Sequence, residues 1–141
     1  MKFYKIYPEC PAGFEGVEWD ESFDPPRQIS AHLIFAAPVF AELITSYGGA
    51  FAVTEPLAEA LAKSGLTGFQ FGPLSGEISP DLSKDTPPFE IPALRGLVIT
   101  GRALADDFGV KMLGLLILSE RAVDFLTMRN ESFGKYVYEL S

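Results

Sequence analysis

Two stretches decide the architecture: Phe51-Ala-Val-Thr-Glu-Pro-Leu-Ala-Glu-Ala-Leu61 and Leu116-Ile-Leu-Ser-Glu-Arg-Ala-Val-Asp-Phe-Leu126. Each begins with three apolar residues that read as a short strand, followed by a hydroxyl residue, an acid and an amphipathic segment. Thr54 and Ser119 suit a helix N-cap, where a side-chain oxygen accepts from a backbone N–H left free in the first turn. Glu55 and Glu120 favour the positive end of the helix dipole, and Pro56 is tolerated in a first turn. Leu57 and Leu61 share one face of the first helix, while Ala122, Val123 and Leu126 share one face of the second. Gly65 supplies a stop before an apolar Phe69-Gln-Phe71, and Tyr136-Val-Tyr138 echoes that strand in the second copy. Glu59 matches Asp124 and Leu61 matches Leu126 at an offset of 65 residues. The order and the offset point to two related units, about residues 49–74 and 114–140, and to an internal duplication.

Outward from these units the reading is coarser. Phe3–Tyr7 alternates as a short strand. Cys10–Pro26 is polar and broken by Gly13, Gly16 and Pro25-Pro26. Gln28–Tyr47 reads as more helical, with Val39, Leu43 and Tyr47 four apart and Pro38 starting or breaking the helix. The Gly/Pro/Ser-rich stretch 72–92 is expected to be a surface excursion joining the two units. Leu94–Thr100 reads as a strand and Ala103–Phe108 as a helical turn ending at Gly109. The expected fold is α+β: one domain over residues 1–141, with two strand–helix–strand units around a mostly antiparallel sheet of about four to six strands and two or three helices.

The whole chain has 141 residues, 11 basic against 19 acidic, for a net charge of −8. An acidic balance argues against nucleic acid as a partner, because phosphate contacts need Lys and Arg to displace counterions. It argues equally against anionic membranes. Neither apolar stretch, Ala31–Ile44 or Leu113–Leu118, approaches the roughly 20 residues a spanning helix needs. The N-terminal MKFYKIYPEC lacks the apolar core of a signal peptide, and the single cysteine, Cys10, has no internal partner for a disulfide. The expectation is a cytoplasmic protein.

The chemistry-bearing residues do not assemble into a familiar constellation. His32 is the one histidine, and neither it nor Cys10 lies in a context typical of a nucleophile–base pair. A tetrahedral zinc site would need two carboxylates beside them, and no ligand spacing suggests one. Asp106-Asp107 lacks a surrounding calcium loop and reads as a solvated or capping pair. The glycines around Gly65–Gly72 and Gly109–Gly114 read as turns and not as a phosphate cradle. Glu77, Asp81, Asp85 and Glu90 in the central excursion are the one set from which paired catalytic carboxylates would come. No catalytic residue, metal or cofactor is expected, and the chain is read as a non-enzyme.

Gly49-Ala-Phe-Ala-Val-Thr-Glu-Pro-Leu-Ala-Glu-Ala-Leu61, its continuation Gly65-Leu-Thr-Gly-Phe-Gln-Phe-Gly-Pro-Leu74, and Asp107-Phe-Gly109 with Leu116-Ile-Leu-Ser-Glu-Arg-Ala-Val123 carry a likeness. They resemble the immunity proteins described from myxobacterial genomes, family eleven of the bacterial polymorphic toxin systems. The likeness covers residues 49–74 and 106–140. Similar proteins carry Cys-x-x-Cys-Gly motifs that this chain lacks, so no metal site is carried over. The resemblance implies an immunity protein that neutralises a cognate toxin in interbacterial competition, for example by type VI secretion, with no catalytic residues of its own.

Inhibition by occlusion suits the composition, since an acidic protein is steered to a basic cleft. The candidate surface is Glu15, Glu18, Trp19, Asp20, Glu21, Phe23 and Asp24, five acids interleaved with aromatic residues and no base. Trp19 has two readings, interface anchor or core residue. An adaptor binding another cellular protein and a small hydrolase using the central acids are the alternative functions. A homo-oligomer is not predicted.

Overall fold

The computed structural model describes residues 2–82, 84–112 and 114–140, with the backbone alone for Phe14 and Glu15. In chain order the elements are β1 (Phe3–Ile6), β2 (Glu9–Asp20), β3 (Arg27–Phe35), β4 (Leu43–Ser46), β5 (Phe51–Thr54) and α1 (Glu55–Ala62). They continue with β6 (Phe69–Gly72), β7 (Leu74–Ile78), β8 (Leu94–Ile99), β9 (Phe108–Met112), β10 (Leu115–Ser119) and α2 (Glu120–Arg129). A 3₁₀ helix, Glu131–Tyr136, leads into β11 (Val137–Glu139). Four strands form one sheet in the order β11-β1-β10-β9, and seven form another in the order β6-β8-β5-β4-β2-β3-β7. Only β2–β4 and β3–β7 pair in parallel, so the fold is α+β with mostly antiparallel sheets.

The two strand–helix–strand units are built alike. In the first, β5 and β6 lie on either side of β8 and antiparallel to it. In the second, β10 and β11 flank β1 in the same sense. The rung Phe71–Leu97–Phe51 in one sheet corresponds to Val137–Ile6–Leu116 in the other. The middle strand of the first unit follows it in the chain, whereas the N-terminal strand supplies that of the second. Both helices start as their sequences require. Thr54 Oγ1 accepts from the Leu57 N–H at 3.4 Å, and Ser119 Oγ accepts from the Ala122 N–H at 3.1 Å. Leu57, Ala58 and Leu61 from α1 enter one core with Ala122 and Leu126 from α2, joined by Phe51, Val53, Leu97, Phe108, Leu116 and Leu118. This core locks the units together, because each buries its apolar face against the other.

Outside the units the sequence reading needs correction. Gln28–Tyr47 is not helical: it holds β3, an irregular crossing and β4. Ala31, Leu33 and Phe35 are buried in alternation, a period of two that a helix cannot satisfy. The four-residue spacing of Val39, Leu43 and Tyr47 is coincidental, for Leu43 is buried while Tyr47 is 81% exposed. The polar Cys10–Pro26 stretch is mostly β2, a twelve-residue strand whose register shifts near Gly16, where φ is +78°. Such a bulge explains how a strand accommodates the breakers. The 72–92 excursion contributes β7 before it becomes irregular, and Ala103–Phe108 is a turn, with Phe108 and Gly109 already in β9. Eleven strands among the described residues exceed the expected number, in two sheets where one was read.

The seven-stranded sheet curls until β3 and β7 lie against β8. Its two terminal strands, β6 and β7, are separated by Pro73 alone, so the chain itself closes the curl. Proline suits that corner because it has no N–H to leave unpaired. Opposite it, a Cβ on Gly96 would stand 3.0 Å from both Gln28 Nε2 and the Gly72 carbonyl, so only glycine fits without displacement. The space is used by Gln28, whose buried amide accepts from the Phe51 N–H at 3.0 Å and donates to the Phe51 carbonyl at 3.3 Å. Inside the curl, Ala12, Ala31, Leu33, Phe35, Ile44, Ala50 and Ala52 form a second core. Phe89 and Ile91 pack against it and fasten the later part of the excursion.

The two caps give unequal predictions. Ser119→Ala should cost about 1–2 kcal/mol in urea unfolding, and Thr54→Ala about half that. The Ser119 hydroxyl is fully buried and makes the shorter cap bond. Equal losses would show that burial adds nothing to the cap.

Candidate functional site

β2 and β3 form a long hairpin whose tip is the acidic segment. Asp20 pairs with Arg27 across the strands, and Trp19 pairs with Gln28. At the turn, Asp20 Oδ1 accepts from the Ser22 N–H at 3.0 Å and from its hydroxyl at 2.6 Å. These two bonds hold the Asp20 carboxyl below its ordinary pKa, with the hydroxyl the larger cause. The Arg27 guanidinium stacks 3.6 Å from the Phe23 ring centre and donates to the Thr100 carbonyl at 3.0 Å. Local and tertiary bonds therefore both shape the arm.

Glu18, Asp20, Glu21, Phe23 and Asp24 are brought together on this arm, with Glu18, Glu21, Phe23 and Asp24 exposed. Trp19 takes the other reading. It is half-buried and lines a small cavity with Pro26, Gln28, Phe51, Leu97 and Ile99, so it braces the base of the arm against the core. Glu15 pairs with His32 through its backbone, and its side chain lies outside the described residues. No basic residue occurs between Lys5 and Arg27. Arg27, opposite Asp20 at the foot of the arm, is the one base among these acids, so the arm keeps an excess of carboxylates.

Asp107, Asp106 and His32 each have a partner within the fold. Asp107 is not a solvated acid: its side chain is 7% exposed and its two oxygens gather Ser119 Oγ at 2.7 Å, the Thr67 N–H at 2.9 Å and Arg121. Burial alone would push its carboxyl up. The bonds from Arg121, Ser119 and Thr67 outweigh that and hold it far below the usual carboxylate range. Asp106 accepts from the Arg102 N–H and closes the turn before β9. His32 stands half-exposed on β3, with Nδ1 2.7 Å from Ser75 Oγ and Nε2 3.5 Å from Glu77. Asp81 and Glu90 face solvent on the excursion. Among the described residues, no three His, Cys, Asp or Glu side chains are grouped to hold a metal ion, and no helix is long and apolar enough to cross a membrane.

Sequence reasoning missed one surface. A groove of about 490 Å³ opens beside the β4–β5 turn, lined by Tyr7, Tyr47, Met112 and Leu115 over Gly49 and Gly114. Tyr47 is 81% exposed, Met112 60% and Tyr7 51%. The available signal was the Tyr-Gly-Gly turn at 47–49, which the helical reading of the preceding residues obscured.

Comparison with family models, with curated proteins and with solved structures finds no match for this chain. The likeness to the immunity family thus rests on the short motifs quoted above.

Asp107 also sets a pH test. Its folded pKa is depressed, so its contribution is complete above the unfolded value near 3.9 and fades as pH falls through and below it. Asp107→Asn should therefore lose about 1–3 kcal/mol at neutral pH. That deficit should shrink below about pH 4. A deficit unchanged down to acid pH, read by denaturant titration, would mean the carboxylate's charge is not what binds its partners.

Proposed function

We propose that this chain is an immunity-type protein that binds a cognate bacterial toxin and occludes its working surface. The observation that carries the reading is the acidic arm, a hairpin tip on which Glu18, Asp20, Glu21 and Asp24 outnumber the one base, Arg27, at its foot. A charged loop that must be ordered on binding loses affinity to entropy. Here Ser22 holds Asp20, and Arg27 joins Phe23 to the carbonyl of Thr100, so much of that ordering is already done. The complementary partner is a protein with a basic cleft, the kind of surface a toxin acting on nucleic acids or nucleotides presents. Electrostatic attraction raises the encounter rate, and the exposed Phe23 offers apolar contact at the tip. The motif resemblance supplies the toxin; the arm supplies the means of holding it.

Two measurements test this. Cells expressing the toxin-like product of the neighbouring gene should survive when this chain is co-expressed, and the two proteins should copurify; death with no complex overturns the proposal. Glu18→Lys with Glu21→Lys leaves the Asp20–Ser22 turn in place. It should slow association by about tenfold at low ionic strength and flatten its salt dependence. Unchanged kinetics would move the contact away from the arm.

A further inference from the structure

Among the described residues β7 is a terminal strand of the curled sheet and pairs with β3 alone, in parallel. Their register sets Ser75 beside His32 and Glu77 beside Ile34, so these four side chains leave the same face of the sheet. Leu33 and Phe35 are buried on the opposite face. Gly76, between Ser75 and Glu77, belongs to that inner face: a Cβ there would stand 2.7 Å from the Phe35 ring and 3.3 Å from the Leu33 carbonyl oxygen. Glycine therefore lets β7 lie close against β3 with its two polar neighbours turned outward. Ser75 is 43 residues from His32 in the chain, so no local window of sequence joins them.

Nδ1 of His32 stands 2.7 Å from Ser75 Oγ, and Nε2 stands 3.5 Å from Glu77 Oε1. An ionised carboxylate only accepts, so Glu77 favours the tautomer with the ring proton on Nε2. Nδ1 is then left with its lone pair and accepts from the Ser75 hydroxyl. A nucleophile, a base and a group that orients the base thus stand in line, the arrangement that activates a serine. The backbone adds a donor. The Ser79 N–H bonds the Phe35 carbonyl, and N–H groups alternate sides along a strand, so those of Ser75 and Glu77 also face β3. The N–H of Gly76, directly after the serine, points to the unpaired edge of the sheet, where the oxygen of an acyl group can accept from it.

We infer that Ser75 is an acyl-transfer nucleophile acting on small carboxylic esters, with His32 as its general base and Glu77 as the positioning residue. This activity is separate from toxin binding and does not rest on it. Ser75 Oγ attacks the ester carbonyl carbon, and its proton passes to Nδ1. The ring returns that proton to the departing alcohol oxygen as the C–O bond breaks, leaving an acyl ester on Ser75. Water, giving its proton to Nδ1, then attacks that ester; the ring protonates Oγ as the acid departs. The face is open, which suits a small substrate, and half-buried Ile34 offers the acyl chain an apolar contact.

The test treats the full chain with p-nitrophenyl acetate and maps the added acetyl group by mass spectrometry. One acetyl on Ser75 is expected, with nitrophenol released in step. Acetyl groups on lysines or other hydroxyls with none on Ser75 would overturn the proposal, and that reading needs no variant. His32→Gln should slow Ser75 acetylation by about 100-fold. Glu77→Gln should lower kcat with KM unchanged, and Glu77→Asp should restore part of it. Acetylation of Ser75 as fast in His32→Gln as in the parent, with both folded by urea titration, would show an ordinary surface hydroxyl and overturn it as well.

Discussion

The Asp107 carboxylate is the point at which the two units become one structure. Its oxygens accept from the cap hydroxyl of α2, from Arg121 in the first turn of that helix, and from Thr67 in the loop that follows α1. Arg121 extends the tie by donating to the Gly65 carbonyl, also in that loop. A nearly buried charge is tolerable only when its lone pairs are filled by good donors, and here they are. The node fixes where α1 ends relative to where α2 begins, so the core between the helices and the two sheets has a single packing.

The same device recurs in weaker form. Glu42 precedes β4 as Asp107 precedes β9. The Thr54 N–H bonds the Glu42 carbonyl and the Ser119 N–H bonds the Asp107 carbonyl, both at 2.9 Å. In each unit the acid also approaches the cap hydroxyl, at 3.4 Å for Thr54 and 2.7 Å for Ser119. Glu42 then takes Arg129 from the other unit's helix. These reciprocal bonds are charge-assisted but partly solvated, so they set orientation more than they add stability. The apolar core supplies the larger share.

Function in this reading falls to what the paired units leave outside. The β2–β3 hairpin ends in a tip on which four carboxylates outnumber Arg27. The aromatic groove lies beside the β4–β5 turn.

Some of this was legible in the residues. Thr54-Glu55-Pro56 and Ser119-Glu120 declared their helices because capping is local: a hydroxyl and a free N–H three residues apart need nothing else. The −8 charge and the base-free run before Arg27 likewise need only counting. Other features depended on distant chain. That β1 completes the second unit, that Pro73 closes the curl, and that Trp19 turns inward follow from which strands meet. Strand pairing is decided by non-local contacts that no window of sequence contains. The alternation of Ala31, Leu33 and Phe35 was present to be read, but the breakers around it and the spacing of Val39, Leu43 and Tyr47 pointed elsewhere. Local chemistry determined where helices start and what charge the surface carries. Only the meeting of remote strands decided which aromatic residues face the core and which wait at the surface, because burial is a property of neighbours and not of a residue.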